Sequence, residues 1–234
     1  LGDASATGGA APLVYPEDYD NVVADLNFAG TSGETQQFTA ATLNDAVLDG
    51  SETFSVSLNA SSPLVTDSDT AAGTLTDNDS AQVTVADVTA TEGTGLQFTV
   101  SLDNAVAAAF QVNVSLADVT ATGGAAPLVT PEDYDNVVAA LNFAGTSGET
   151  QQFTVATLDD AVLEASETFT VSLNATNPLV ADSDTATGTI LDNDTVPPWP
   201  DCDYLYRMPI TVTTTTAVDA GYSVSLTFNH AALV

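Results

Sequence analysis

Residues 1–79 align without a gap with residues 116–194, an offset of 115, and 63 of those 79 positions are identical. The block Thr7–Gly33 recurs as Thr122–Gly148 with only Tyr15 and Asp25 changed, to Thr130 and Ala140. A period of this length is too long for a solenoid unit and matches one whole domain per copy. The repeat therefore predicts a tandem array read out of phase. Residues 80–194 are expected to form a complete domain, and residues 1–79 a domain without its opening strands. Residues 195–234 are expected to hold a proline linker and a hairpin that opens a further β unit.

The local pattern is β throughout. Gly95–Leu102 alternates strictly and puts Leu96, Phe98, Val100 and Leu102 on one face. Phe169–Leu173 and its earlier copy Phe54–Leu58 alternate the same way, and Gln82–Val85, Phe110–Val114 and Phe153–Val155 supply further strands. Gly and Asp/Asn clusters separate these runs, and no stretch carries a helical period. About seven short strands per copy predict an all-β chain of tandem, immunoglobulin-like antiparallel sandwiches.

Charge narrows the partners. The chain has 32 acids, one Arg, no Lys and a formal net charge of −31. Nucleic acid and anionic membranes are poor partners for such a surface. No run is long enough for a membrane span. Charged residues make up only 14% of the chain against 44% hydrophobic, so this is no disordered acidic tail. A single cysteine, Cys202, excludes an internal disulfide. A secreted or cell-surface protein in a calcium-bearing or salty medium fits this composition, a generally acidic surface being the plainer account of the charge.

The acids gather at strand ends: Glu92 in the first turn, Asp133-Tyr134-Asp135, Asp159-Asp160 with Glu164 and Glu167, and Asp192-Asn193-Asp194. Antiparallel strands alternate in direction, so these loops are expected at one pole. Two carboxylates about 5 Å apart repel by roughly 3 kcal/mol at an effective dielectric near 20. A cluster of that kind protonates, spreads apart or holds cations. Oxygen donors without His or Cys suit calcium, with magnesium the second choice.

The series Asp133-Tyr134-Asp135, Leu141–Gly145, Phe153-Thr154-Val155, Leu158-Asp159-Asp160, Glu164, Glu167-Thr168-Phe169, Gly188-Thr189-Ile190 and Asp192-Asn193-Asp194 resembles the Calx-beta domain. The resemblance covers residues 80–194 in full and residues 1–79 as a domain without its first strands. It implies a seven-stranded sandwich and a calcium site. Glu92, Asp133 or Asp135, Asp159, Asp160, Glu164, Glu167, Asp192 and Asp194 match the ligand positions. In the first copy Asp18, Asp20, Asp45, Asp49, Glu52, Asp77 and Asp79 match, but Asn44 stands where Asp159 does and Asp49 replaces Glu164. Calcium there is expected to bind more weakly or to need a neighbour.

Each of these acids could instead be a solvated turn residue. Asp182, Asp184, Asp67 and Asp69 fall outside the family pattern and read as surface. Tyr19 and Tyr134 read as packing residues. With one His and no Lys, a nucleophilic triad has little to be built from, and no enzyme is expected. Sequons begin at Asn59, Asn78, Asn113, Asn174 and Asn193, several of them expected by chance in so Ser/Thr-rich a chain.

Near-identical neighbouring copies favour a calcium-binding structural or adhesive repeat of an extracellular protein or fibre, since a spacer needs no individually tuned domains. A calcium-responsive regulatory module and an accessory module of a secreted hydrolase are the alternatives. The partners expected are adjacent repeats or further copies of the chain. Residues 199–234 number the same as residues 80–115 and share their alternation, with Asp219 near the place of Glu92. Two readings stand side by side: they complete the first domain of another copy, head to tail, giving a filament, or the ends are arbitrary cuts in a longer polypeptide.

Overall fold

The computed structural model describes residues 1–195, and all regular structure among them is β. The expectation for residues 199–234 lies outside the described residues.

The second repeat is a sandwich of two sheets. Five strands form one sheet in the order Leu141–Phe143, Phe110–Asp118, Glu167–Ala175, Thr185–Leu191, Val88–Thr91. Neighbours in it run antiparallel except the last pair, Thr185–Leu191 with Val88–Thr91, which is parallel. The facing sheet orders Thr150–Val155, Leu96–Leu102, Val83–Val85, all antiparallel. Alternation sends Leu96, Phe98, Val100 and Leu102 inward, where all four are buried, together with Phe169, Val171 and Leu173 from the other sheet. Phe98 stacks on Phe153 and meets Phe169 edge-on, with ring centroids 5.1 and 6.1 Å apart. Gly188 lies under the Phe169 ring, where an added Cβ would come within 2.2 Å of it. The strands expected from alternation are present, several of them longer than their apolar runs.

The first repeat keeps only part of this frame. Gly2–Asp3, Glu52–Ser57 and Thr70–Leu75 form a three-stranded antiparallel sheet. Residues 21–46 contain no strand, although residues 136–161 hold Leu141–Phe143 and Thr150–Val155. The cause is the partner, not the sequence. Leu141–Phe143 pairs with Phe110–Val112, and Thr150–Val155 with Leu96–Ser101, and among the described residues the first repeat has no counterpart of either partner strand. Phe143 is 1% exposed while its twin Phe28 is 58% exposed.

The repeats also touch. Val47–Leu48 pairs in parallel with Ala105–Val106, and the Ala107 amide donates to the Leu48 carbonyl at 3.0 Å. Leu48 is buried in the core of the second repeat.

Candidate metal centre

In each repeat a buried tyrosine fixes the Asp-Tyr-Asp segment. Tyr134 stacks on Phe169 at 4.3 Å and donates its hydroxyl to Asp118 at 2.5 Å. Tyr19 does the same with Phe54 at 4.4 Å and with Asp3 at 2.8 Å. Burial beside a carboxylate pushes the Tyr19 hydroxyl up to about 12 and raises that of Tyr134 as well. With the ring locked inside, the preceding aspartate is held at the pole, where Asp133 accepts from the Thr122 amide at 2.6 Å.

Around that pole Glu92, Asp133, Asp160, Glu164, Glu167 and Asp192 line one small cleft. Two triads bring carboxylate oxygens within 4.8 Å of one another: Asp133 with Glu164 and Glu167, and Glu92 with Asp192 and Asp194. Gly93 follows Glu92 with φ 70°, and an added Cβ would come within 2.6 Å of Asp159, so the first turn packs directly on the paired aspartates. Asn193 ties the ends of the site together, its side-chain amide donating to Asp159 at 3.0 Å and its backbone amide to Glu92 at 3.0 Å.

The charges resist this crowding. Burial and a hydrogen bond shared with Asp133 push Glu167 up to about 7. Burial, Asp133 and Asp160 raise Glu164. At Glu92, 8% exposed, the Asn193 amide pulls down, but burial and the charges of Asp194 and Asp192 win and the carboxyl is raised. Burial and Asp192 raise Asp194, whose Oδ2 is fully buried without a hydrogen-bond partner among the described residues. An orphaned buried carboxylate oxygen among like charges is costly unless a cation sits against it. The donors are all hard oxygens, which suits calcium and lacks what zinc or copper prefers. These residues fit a calcium ion.

The first repeat builds one such triad, from Asp18, Asp49 and Glu52. Burial and a hydrogen bond to Asp18 push Glu52 up to about 7, and burial with Asp77 beside it pushes Asp49 up to about 6. Asp45 and Asp79 line the same cleft, with Asn44 in the place of Asp159. Asp77 is spoken for by backbone amides, accepting from Asp49 at 3.1 Å, Gly50 at 2.9 Å and Asp79 at 2.8 Å.

Asp20 and Asp135 are not drawn into any triad among the described residues. Each accepts from the amide two residues on, Val22 at 2.9 Å and Val137 at 3.0 Å. Of the Asp133 and Asp135 alternatives, the geometry brings Asp133 to the cluster. Asp182 and Asp67 lie apart from the pole and tie their loops to the Ala175 and Ala60 amides, both at 2.7 Å. Sequence reading missed the bracing role of Asn193, for which a side-chain amide between two aspartates gave no signal beyond a lowered charge.

A Calx-beta domain model matches the chain twice, at residues 4–89 and 75–194. Among solved structures, the apo-form Calx CBD1 domain is similar at 23% identity and TM-score 0.41, covering 50% of this chain and 100% of its own. CBD12 from CALX1.2 is similar at 24% identity and TM-score 0.38, covering 48% of this chain and 46% of its own. The calcium binding domain CBD12 of CALX1.1 gives 23% and 0.37, with 47% and 44% covered, so the match spans under half of either CBD12 chain. No curated protein matches.

Proposed function

Since the chain belongs to the Calx-beta family, whose domains bind calcium, we propose that it is a calcium-stiffened structural or adhesive repeat on the outside of the cell. Calx-beta domains are binding modules, and the acidic pole is where this chain would do its binding. The observation that carries the reading is the pair of carboxylate triads in the second repeat, one of them holding the Asp194 oxygen that has no partner among the described residues. In this reading Asp133, Glu164 and Glu167 hold one ion and Glu92, Asp192 and Asp194 a second. Asp159 and Asp160 complete the oxygen set. Asp18, Asp49 and Glu52 hold a third ion, with Asp45, Asp77 and Asp79 near it.

An extracellular setting supports millimolar calcium, the range in which such modules bind. The two copies are identical at 63 of 79 aligned positions, which suits a spacer better than a tuned sensor. No helix among the described residues is long and apolar enough to cross a membrane. Head-to-tail assembly into a filament belongs to the same reading.

The test of the calcium reading is a thermal melt of the full chain in EDTA and in calcium. With affinities of about 0.1–1 mM, roughly 10 mM calcium stabilises by about 1.4–2.7 kcal/mol. An unchanged midpoint sinks it. Electron microscopy of the chain with and without residues 199–234 tests the assembly, which fails if filaments survive the deletion.

A further inference from the structure

The two repeats meet at a docking loop, and the turn just after the contact governs it. Val47–Leu48 of the first repeat pairs with Ala105–Val106 of the second, and Leu48 is 5% exposed in the second repeat's core. The chain then turns back to the first pole. It turns at Gly50, with φ 81°, and the Asp49 and Gly50 amides both donate to Oδ2 of Asp77, at 3.1 and 2.9 Å. Asp77 stands in the link between the repeats, where its Oδ1 takes the Asp79 amide at 2.8 Å. Further along the link, the Ser80 carbonyl accepts from the side chain of Asn104, the residue before Ala105, at 2.9 Å. One carboxylate thus ties the docking loop to the link, and the link is tied beside the edge on which the loop docks.

The second repeat carries the same loop with a different turn. Residues 41–52 and 156–167 differ only where Asn44, Asp49 and Gly50 become Asp159, Glu164 and Ala165. Among the described residues only glycines have a positive φ, so Ala165 does not turn as Gly50 does. Asp192, the counterpart of Asp77, accepts from the Glu164 amide at 3.1 Å, and among the described residues it takes no bond from Ala165. The left-handed turn accompanies the second bond of the clamp. Space at Gly50 is also tight, since an added Cβ would come within 3.0 Å of the Leu179 side chain of the second repeat. The end of that side chain can turn aside, so the backbone conformation is the stronger demand for glycine.

We propose that Gly50 specifies the joint between the two repeats: its left-handed turn closes the clamp on Asp77 and so holds Leu48 in the second core. A loop with alanine at this place keeps the docking dipeptide but loses the turn that seats it. A residue with a Cβ resists the left-handed conformation strongly enough to shift an open–closed equilibrium about 5–30-fold. The clamp and the seat are made of hydrogen bonds and apolar packing, so the joint closes without a cation. The inference stands apart from the calcium reading and gives the pair a source of stiffness besides its acidic poles.

Amide hydrogen exchange of the full chain in EDTA tests it, because the closed joint is where the Ala107 amide donates to the Leu48 carbonyl. Gly50→Ala should speed exchange at Ala107 by about 5–30-fold. Gly50→Asn should speed it less, although asparagine is the larger residue, because asparagine tolerates a left-handed backbone better than alanine does. Leu48→Ala, which empties the seat, should speed it at least as much as Gly50→Ala. Strands 96–102 and 167–175 should exchange as before in the Gly50 variants, showing that the second repeat itself is intact. Unchanged exchange at Ala107 in Gly50→Ala, or a larger effect of asparagine than of alanine, overturns the proposal. Exchange that quickens equally in strands 96–102 and 167–175 overturns it too, since the turn would then support the second fold and not the joint.

Discussion

Glu167 and Glu52 each share a proton with an aspartate, and this sets a pH dependence whose sign can be worked out. Both are raised in the folded state to about 7 from an ordinary value of 4.5. A carboxyl held above its unfolded value contributes stability that is full below about pH 4.5 and lost as pH rises through about 7. In EDTA, therefore, the melting midpoint should fall between about pH 4.5 and 7. Calcium must displace those protons, so its stabilising shift should grow over the same interval. Melts across pH 4.5–8 with and without calcium check both trends, and parallel curves would contradict them. Glu167→Gln should remove much of the calcium shift and flatten the EDTA profile. Asp182→Ala should lower stability in both conditions by about 1 kcal/mol, because the Ala175 amide loses its acceptor, and leave the calcium shift unchanged.

The twin strands separate what a sequence encodes from what its surroundings supply. Leu26-Asn27-Phe28 and Leu141-Asn142-Phe143 are identical, yet only the second is a strand, because among the described residues only it has a strand, Phe110–Val112, to pair with. Alternation identified runs such as Leu96–Leu102 and Phe169–Leu173, whereas Leu141–Phe143 is too short to show a period and was legible only through the family resemblance. The converging acidic loops were legible because antiparallel alternation dictates which turns share a pole. The Val47–Leu48 contact was not legible. Two apolar residues between acids carry no period, and their partner lies some 60 positions away in the next repeat. A measurable consequence is an unequal cost for equal mutations. Phe143→Ala should cost about 3–5 kcal/mol in urea unfolding, as for other buried aromatics, whereas Phe28→Ala should cost under about 1 kcal/mol. Similar losses at both sites would mean that the first repeat is covered in solution.

Across the whole described chain, cohesion is distributed unevenly while charge is not. The core that runs through the second repeat gathers 23 buried residues, and the first repeat's own cluster gathers three: Ala6, Tyr19 and Phe54. Both repeats carry crowded carboxylate triads, so repulsion falls on a strong core in one and a slight one in the other. The first repeat is thus expected to open first, at free energies well below global unfolding. Leu48 limits that independence, because it belongs to the second core while its loop carries Asp45 and Asp49 of the first pole. Hydrogen exchange read by mass spectrometry should show peptides from residues 21–46 exchanging fastest in EDTA, with residues 52–57 next. Residues 96–102 and 167–175 should exchange last. Calcium should slow residues 52–57 through Glu52, and should slow residues 47–50 in the docking loop along with them. If the first repeat proved as protected as the second without calcium, its opening would be coupled to the large core, and Leu48→Ala should then release it.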